Sequence, residues 1–357
     1  MSEIQRLLEQ YTATGEIAGA ALRVRKNGET AAEVCCGMAD LAQRRPVQPD
    51  TVFRLASMTK PLIAVLTLIF EEKGLLRLDD RLERYLPADP RVTLRQLLQH
   101  CSGLGQGRAG VEASLAAMCP GDTLAQRARR FAALAPDFEP GTGTGYSMMS
   151  GFDILGYVLE LCAGLPLEEV LHRYLLDPLG IADMGYTLSA GARSRLARLY
   201  RKDPAGLTDV TDTEPVWQLV DPLKDGYFSG AGGVLGTLEG YDRFVQLLAN
   251  EGELDGVRLL RCETVRRISA ETAAHGLELR PGCRWGLGMV CFDEPVKTGR
   301  GLSAGSYGWS GAYGTHFYID PAQRLQVVLM INRSDIGGAS SPVSLALEHA
   351  VYSEFIR

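Results

Sequence analysis

The sequence predicts an α+β fold: one antiparallel sheet built from both ends of the chain, flanked by terminal helices, with an all-helical insertion between. Three observations lead there. Strand-like runs cluster near both termini, each cluster contains a tight-turn signal, and residues from about 80 to 200 are rich in Leu, Ala and Arg at helical spacing. The expected division is a discontinuous α/β part, residues 1–80 plus 215–357, and a helical part, residues 81–214, with a cleft between them.

Taken in order, residues 3–13 read as a short amphipathic helix with Ile4, Leu7 and Leu8 on one face. Runs at 20–24 and 30–36 flank Lys26-Asn27-Gly28-Glu29. Asn-Gly between strand-like runs predicts a hairpin, because both central residues must take φ > 0. Residues 58–73 look helical, with Lys73 in the last turn and Gly74 as the stop. In the middle, Leu94, Leu97 and Leu98, and then Ile154, Leu155, Val158, Leu161 and Cys162, recur with a helical period; Gly164 and Pro166 end the helix that begins near Ser150. Residues 315–319 and 325–331 flank Asp320-Pro321-Ala322-Gln323-Arg324, a hairpin with a Pro turn. Residues 342–356 form a closing amphipathic helix.

Composition sets the outer limits. Hydrophobic residues are 46% and charged residues 22%, the balance of a globular protein. A chain of 357 residues buries about three quarters of its unfolded surface and needs no disulfide or metal staple. The longest apolar run, 61–70, is far short of the roughly 20 residues of a membrane-spanning helix, so no membrane partner is expected. A net charge of −6 argues against nucleic acid. The eight cysteines contain no C-x-x-C pair and read as reduced, small core residues. The N-terminus lacks the basic start and apolar stretch of a signal peptide. Both features point to the cytoplasm.

The first candidate for chemistry is Ser57-Met58-Thr59-Lys60, an S-x-x-K at the start of a predicted helix. A spacing of three places both side chains on one helix face. A serine hydroxyl is a poor nucleophile until a base takes its proton or a cation stabilises its alkoxide, and Lys60 suits either purpose. The helix N-terminus adds a field that favours negative charge near Ser57. The four letters alone carry little: six lysines and 18 serines give about 0.3 such matches by chance. The bland alternative is a serine beside an exposed lysine.

The surroundings change that balance. Residues 51–60 resemble the active-site segment of the serine β-lactamase and penicillin-binding protein superfamily. Leu97-Leu98-Gln99-His100-Cys101-Ser102-Gly103-Leu104 resembles its turn after the first helices. Tyr146-Ser147, residues 153–160, Asp177-Pro178-Leu179-Gly180-Ile181, Gly230-Ala231-Gly232-Gly233-Val234-Leu235-Gly236-Thr237 and residues 256–260 follow in the order of that superfamily. The resemblance covers about residues 15–335 and is nearest the class C β-lactamase branch, within it the family VIII carboxylesterases. It implies a β-lactamase/transpeptidase-like fold.

The resemblance also assigns roles. It makes Ser57 the nucleophile, Tyr146 the general base and Lys60 its assistant. A phenol, with an ordinary pKa of about 10, is a poor base at neutral pH, and a neighbouring ammonium favours its ionised form. The family's Tyr-x-Asn is Tyr146-Ser147-Met148 here, so Met148 removes an amide partner for the substrate. The position of its Lys-Thr-Gly matches Trp309-Ser310-Gly311, before the predicted hairpin; Trp-x-Gly there marks the family VIII esterases. The literal Lys297-Thr298-Gly299 lies in a Gly-rich stretch and reads as a coincidence. Trp309 offers an apolar face and one indole donor but no charge, which suits a neutral ester better than an anionic lactam. Arg333 is the candidate for a compensating cation. The oxyanion hole would use the backbone N–H groups of Ser57 and Ala312, and Tyr227 and Phe228 would help shape the acyl pocket.

The expected activity is therefore a serine hydrolase, a carboxylesterase on small acyl esters that works through an acyl-enzyme. Alternatives within the fold are a β-lactamase, a D-amino-acid or DD-peptidase-like enzyme acting on an amide, an acyltransferase, and a non-catalytic acyl-binding relative. A different enzyme class enters through Gly301-Leu302-Ser303-Ala304-Gly305, a G-x-S-x-G match followed by Asp320 and His349. That elbow requires a strand, a sharp turn and a helix, and glycine-rich sequence follows it instead. The five histidines, His100, His172, His275, His316 and His349, show no metal-ligand spacing, and no cofactor is implied. The oligomeric state stays open.

Overall fold

The computed structural model describes residues 2–274 and 276–356; His275 lies outside them. Its main sheet has eight strands: β1 (Gly19–Lys26), β2 (Glu29–Asp40), β3 (Arg45–Pro46), β4 (Cys283–Trp285), β5 (Val290–Phe292), β6 (Ser306–Ser310), β7 (His316–Asp320) and β8 (Leu325–Ile331). Their order is β4-β5-β6-β7-β8-β1-β2-β3, and every neighbouring pair is antiparallel. The two chain ends meet where β1 pairs with β8, from Ala20 opposite Ile331 to Lys26 opposite Leu325. The β1–β2 turn uses Asn27 at φ 55° and Gly28 at φ 87°, as the Asn-Gly signal requires.

The period of two sorts the sheet into two layers. Leu325, Val327, Leu329 and Ile331 face the terminal helices α1 (Glu3–Ala13) and α5 (Pro342–Phe355), with Ile4, Leu8, Leu347 and Val351 completing that core. Ser2 and Ser341 cap the two helices by accepting backbone N–H groups. Phe317, Ile319, Val328 and Met330 face the other way, toward α2 (Thr59–Glu72) and α4 (Leu238–Ala249). Every residue of α2 from Thr59 to Phe70 is buried. A helix apolar on all sides is a central one, and its N-terminus is thereby held at the middle of the molecule.

The middle of the chain contributes α3 (Ser150–Ala163), which packs on α2 and ends at Gly164 with φ 66°. Shorter helices surround it. The middle is helical with short additions, rather than wholly helical. Met184–Gly185 joins Leu235–Thr237, which also pairs with Val52–Arg54, and Tyr200–Asp203 forms a hairpin with Gly206–Asp209. Strands of two to four residues are too short to show a period in sequence. Among the described residues no helix is long and apolar enough to cross a membrane.

Candidate active site

Ser57 occupies a single 3-10 turn, Ala56–Met58, that leads into α2. Ala56 stands at φ 47°, a left-handed conformation that an L side chain adopts only under constraint. The constraint is visible. The Leu55 N–H donates to Val234 O at 3.0 Å, and Leu55 O accepts from Thr315 Oγ1 at 3.0 Å. Gly311, at the end of β6, closes on the same segment: a Cβ there would lie 2.3 Å from Leu55 O and 2.2 Å from Thr315 Oγ1. Only glycine permits that approach.

Lys60 is fully buried one turn further on. Its Nζ donates to Ser57 Oγ at 3.3 Å, Met148 O at 2.8 Å and Ala231 O at 2.8 Å. An ammonium has three N–H donors, and here each has an acceptor. The Tyr146 hydroxyl lies 2.7 Å from Ser57 Oγ. Its ring sits 5.0 Å from Lys60 Nζ and packs among His100, Trp285 and Trp309 at 5.1, 5.9 and 5.2 Å between ring centres. Ser57 Oγ therefore touches the Lys60 ammonium on one side and the Tyr146 hydroxyl on the other, an arrangement that can activate a serine oxygen for attack.

A second layer holds these groups. The buried Asp153 of α3 accepts from Ser229 Oγ at 2.6 Å, from the Ala231 N–H at 3.1 Å and from the Tyr227 hydroxyl. Burial pushes its carboxyl above the usual range, and those three donors oppose the shift. The bonds fix the loop whose Ala231 carbonyl receives Lys60. Beside Ser57 opens a cavity of about 220 Å³, lined among others by Tyr146, Met148, Trp217, Ala312 and Tyr313. Among the described residues no Lys or Arg lines it; Glu214 does, held by Arg201 at 2.8 Å. A larger hollow of about 530 Å³ lies beside the β7–β8 turn, at the far end of the sheet. Ser57, Lys60 and Tyr146 converge beside the smaller one.

Comparison with known proteins gives the family and the fold. Residues 4–346 match the Beta-lactamase family. Esterase EstB of Burkholderia gladioli is 30% identical, over 99% of this chain and 95% of its own length. The chain belongs to the Beta-lactamase family. That membership and the full-length esterase relative make it a serine hydrolase. The solved structure of EstCE1, a hydrolase with promiscuous acyltransferase activity, superposes with a TM-score of 0.85 at 26% identity, covering 98% of this chain and 97% of that one. A solved family VIII carboxylesterase shares the fold, with a TM-score of 0.76 at 22% identity over 98% of this chain and 96% of its own.

Within this Beta-lactamase fold, Ser57, Lys60 and Tyr146 come together although 89 residues separate Ser57 from Tyr146. Ala312 and Met148 line the cavity; Trp309 reaches the site through its contact with Tyr146, and Ser310 and Gly311 follow it at the end of β6. Tyr227 and Phe228 do not line the cavity. Tyr227 is buried with its ring beneath Arg127 at 3.7 Å and its hydroxyl on Asp153, and Phe228 packs on Tyr186 at 5.3 Å. Lys297 sits in a surface 3-10 turn, Pro295–Thr298, paired with Glu294 at 2.7 Å. Arg333 is engaged by Asp335 at 2.8 Å and Glu16 O at 2.7 Å and does not line the cavity. Gly301–Gly305 runs into β6 with no helix after it, so the elbow lacks its context. Among the described residues no three His, Cys, Asp or Glu side chains are grouped to hold a metal.

Sequence reasoning missed three groups: the Trp285 ring stacked on Tyr146, the Asp153 anchor, and the cavity wall from Glu214 to Val220. Asp153 alone had a signal, a carboxylate within an otherwise apolar helical stretch.

Proposed function

We propose that this protein is a carboxylesterase that cleaves small, uncharged acyl esters through an acyl-enzyme on Ser57. The observation that carries the reading is the Tyr146 hydroxyl at 2.7 Å from Ser57 Oγ, at the mouth of a cavity with no lining cation among the described residues. Tyr146 takes the Ser57 proton as Oγ attacks the ester carbonyl. Tyr146 does so as its phenolate and becomes neutral on taking the proton; Lys60, with its three N–H groups bound, orients Ser57 and stabilises the negative charge that the phenolate carries beforehand. The carbonyl oxygen becomes an oxyanion received by the N–H groups of Ser57 and Ala312. Tyr146 returns the proton to the departing alcohol and then activates water against the acyl carbonyl.

Support for a neutral ester over an anionic lactam comes from what surrounds Ser57. Met148 supplies no amide, Trp309 no charge, and among the described residues the one ionic side chain lining the cavity is the Glu214 carboxylate. EstB and the family VIII carboxylesterase carry esterase names. The division into residues 1–80 plus 215–357 and residues 81–214 belongs to the same reading. It is supported by the origins of the groups: Ser57, Lys60 and Ala312 from the first part, Tyr146 and Met148 from the second. A cytoplasmic location is supported by eight free thiols.

The test is turnover of a short-chain p-nitrophenyl ester beside a chromogenic cephalosporin, each with wild type and Ser57→Ala. Fast ester cleavage, little cephalosporin hydrolysis and loss of both in Ser57→Ala are expected. Efficient cephalosporin turnover overturns the esterase reading, and a burst of p-nitrophenol from Ser57→Ala overturns the nucleophile.

A further inference from the structure

Tyr146 sits in an irregular stretch before α3, yet its hydroxyl must stay within hydrogen-bond reach of Ser57. Three bonds to one residue bracket it. The His100 carbonyl accepts the Gly145 N–H at 3.2 Å and the Thr144 hydroxyl at 3.2 Å, and His100 Nδ1 accepts the Ser147 N–H at 3.0 Å. The chain on both sides of Tyr146 thus hangs from His100. His100 is itself fixed: fully buried, at φ 51°, with its ring 4.1 Å from Trp285 and 5.3 Å from Phe152.

An Nδ1 that accepts a backbone N–H must be unprotonated, with the ring proton on Nε2. Burial, reinforced by the nearby Lys60 ammonium, pushes His100 well below the usual histidine range. The shift favours the neutral ring that the Ser147 N–H contact requires. Lys60, which reinforces the effect of burial on the ring, also bonds Ser57 Oγ.

We propose that His100 is a positioning residue for the general base, its Nδ1 and carbonyl holding residues 144–147 so that the Tyr146 hydroxyl stays on Ser57. The proposal rests on the Ser57–Tyr146 reading above. It makes the acceptor at the δ position, rather than the ring, the feature that matters.

Two substitutions separate these. Asparagine places a carbonyl oxygen where Nδ1 stands and tolerates φ > 0; leucine fills similar space with no acceptor. His100→Leu is expected to lower kcat for a p-nitrophenyl ester about 100-fold, the scale of a misplaced catalytic group, with KM changed less than about 2-fold. His100→Asn is expected to recover kcat to within about 10-fold of wild type. Equal loss in both variants, wild-type kcat in His100→Leu, or a rise in KM that accounts for the effect would each overturn the proposal. Should His100→Leu fail to fold, 15N NMR of the wild-type imidazole decides: an unprotonated Nδ1 and protonated Nε2 are expected, and the opposite tautomer overturns the bracket. The NMR result is independent of Ser57, whereas Ser57→Ala turnover tests the parent reading alone.

Discussion

At the scale of single residues, crowding decides the geometry around Ser57. Gly311 meets Leu55 O and Thr315 Oγ1 so closely that a methyl carbon at 2.3 and 2.2 Å has no room. Gly311→Ala must push the end of β6 away from the Ala56–Met58 turn and carry the Ala312 N–H with it. Losing one oxyanion donor lowers kcat by about 10²–10³. A drop of about 100-fold in kcat on a p-nitrophenyl ester is therefore expected for Gly311→Ala, and an unchanged kcat contradicts the assignment of Ala312. Lys60 poses a different case. Lys60→Met keeps the stem but removes the cation and leaves the Met148 and Ala231 carbonyls without their donor. Kcat should fall about 10³-fold, within the range of general acid–base assistance, and pre-steady-state p-nitrophenol release should lose its burst.

At the scale of elements, the pieces that hold the site are those with local signals. Asn27-Gly28, Gly164 and Pro321 punctuate the chain where the sequence says they should, because each solves a turn or cap without help from distant residues. The uniformly apolar α2 announces a central helix in the same way. Trp285 gave no such signal: its contact with Tyr146 exists only once β4 has joined the sheet and the middle of the chain has closed over it. Tyr227 misled for a related reason. It adjoins the Gly230–Gly233 stretch, yet its hydroxyl turns inward to Asp153 of α3 and braces that loop from behind. Asp153→Ala tests the brace. It leaves the Tyr227 and Ser229 hydroxyls without their acceptor, while the Ala231 N–H keeps Ser229 Oγ at 3.2 Å, and the broken buried network costs about 2–5 kcal/mol. A lower midpoint in urea is expected, together with reduced kcat as the Ala231 carbonyl leaves Lys60. Stability within 1 kcal/mol of wild type, roughly the error of the extrapolation, would show that the loop is held by other contacts.

At the scale of the whole molecule, closing one sheet from both chain ends buries histidines in the neutral form. His316 lies on β7 between the sheet and α5, and its Nδ1 meets Trp309 O at 3.0 Å. Burial, with the Arg300 guanidinium nearby, pushes it down to about 3, while the Trp309 contact opposes the shift. His100 is likewise held well below the usual range. In the unfolded chain both titrate near 6.5. Above that pH neither state binds the extra proton, and these groups leave stability unchanged. As pH falls below 6.5 the unfolded chain takes up protons that the folded chain refuses, so stability declines until the folded pKa is reached. By pH 5 His316 costs about 2 kcal/mol relative to pH 7, and His100 acts in the same direction. The melting temperature should therefore fall steadily from pH 6.5 to pH 5 in scanning calorimetry. His316→Gln, which removes one titrating group, should flatten that decline even if its melting temperature at pH 7.5 is lower. An identical pH slope in wild type and His316→Gln would mean that carboxylates, not buried imidazoles, set the acid limit of this fold.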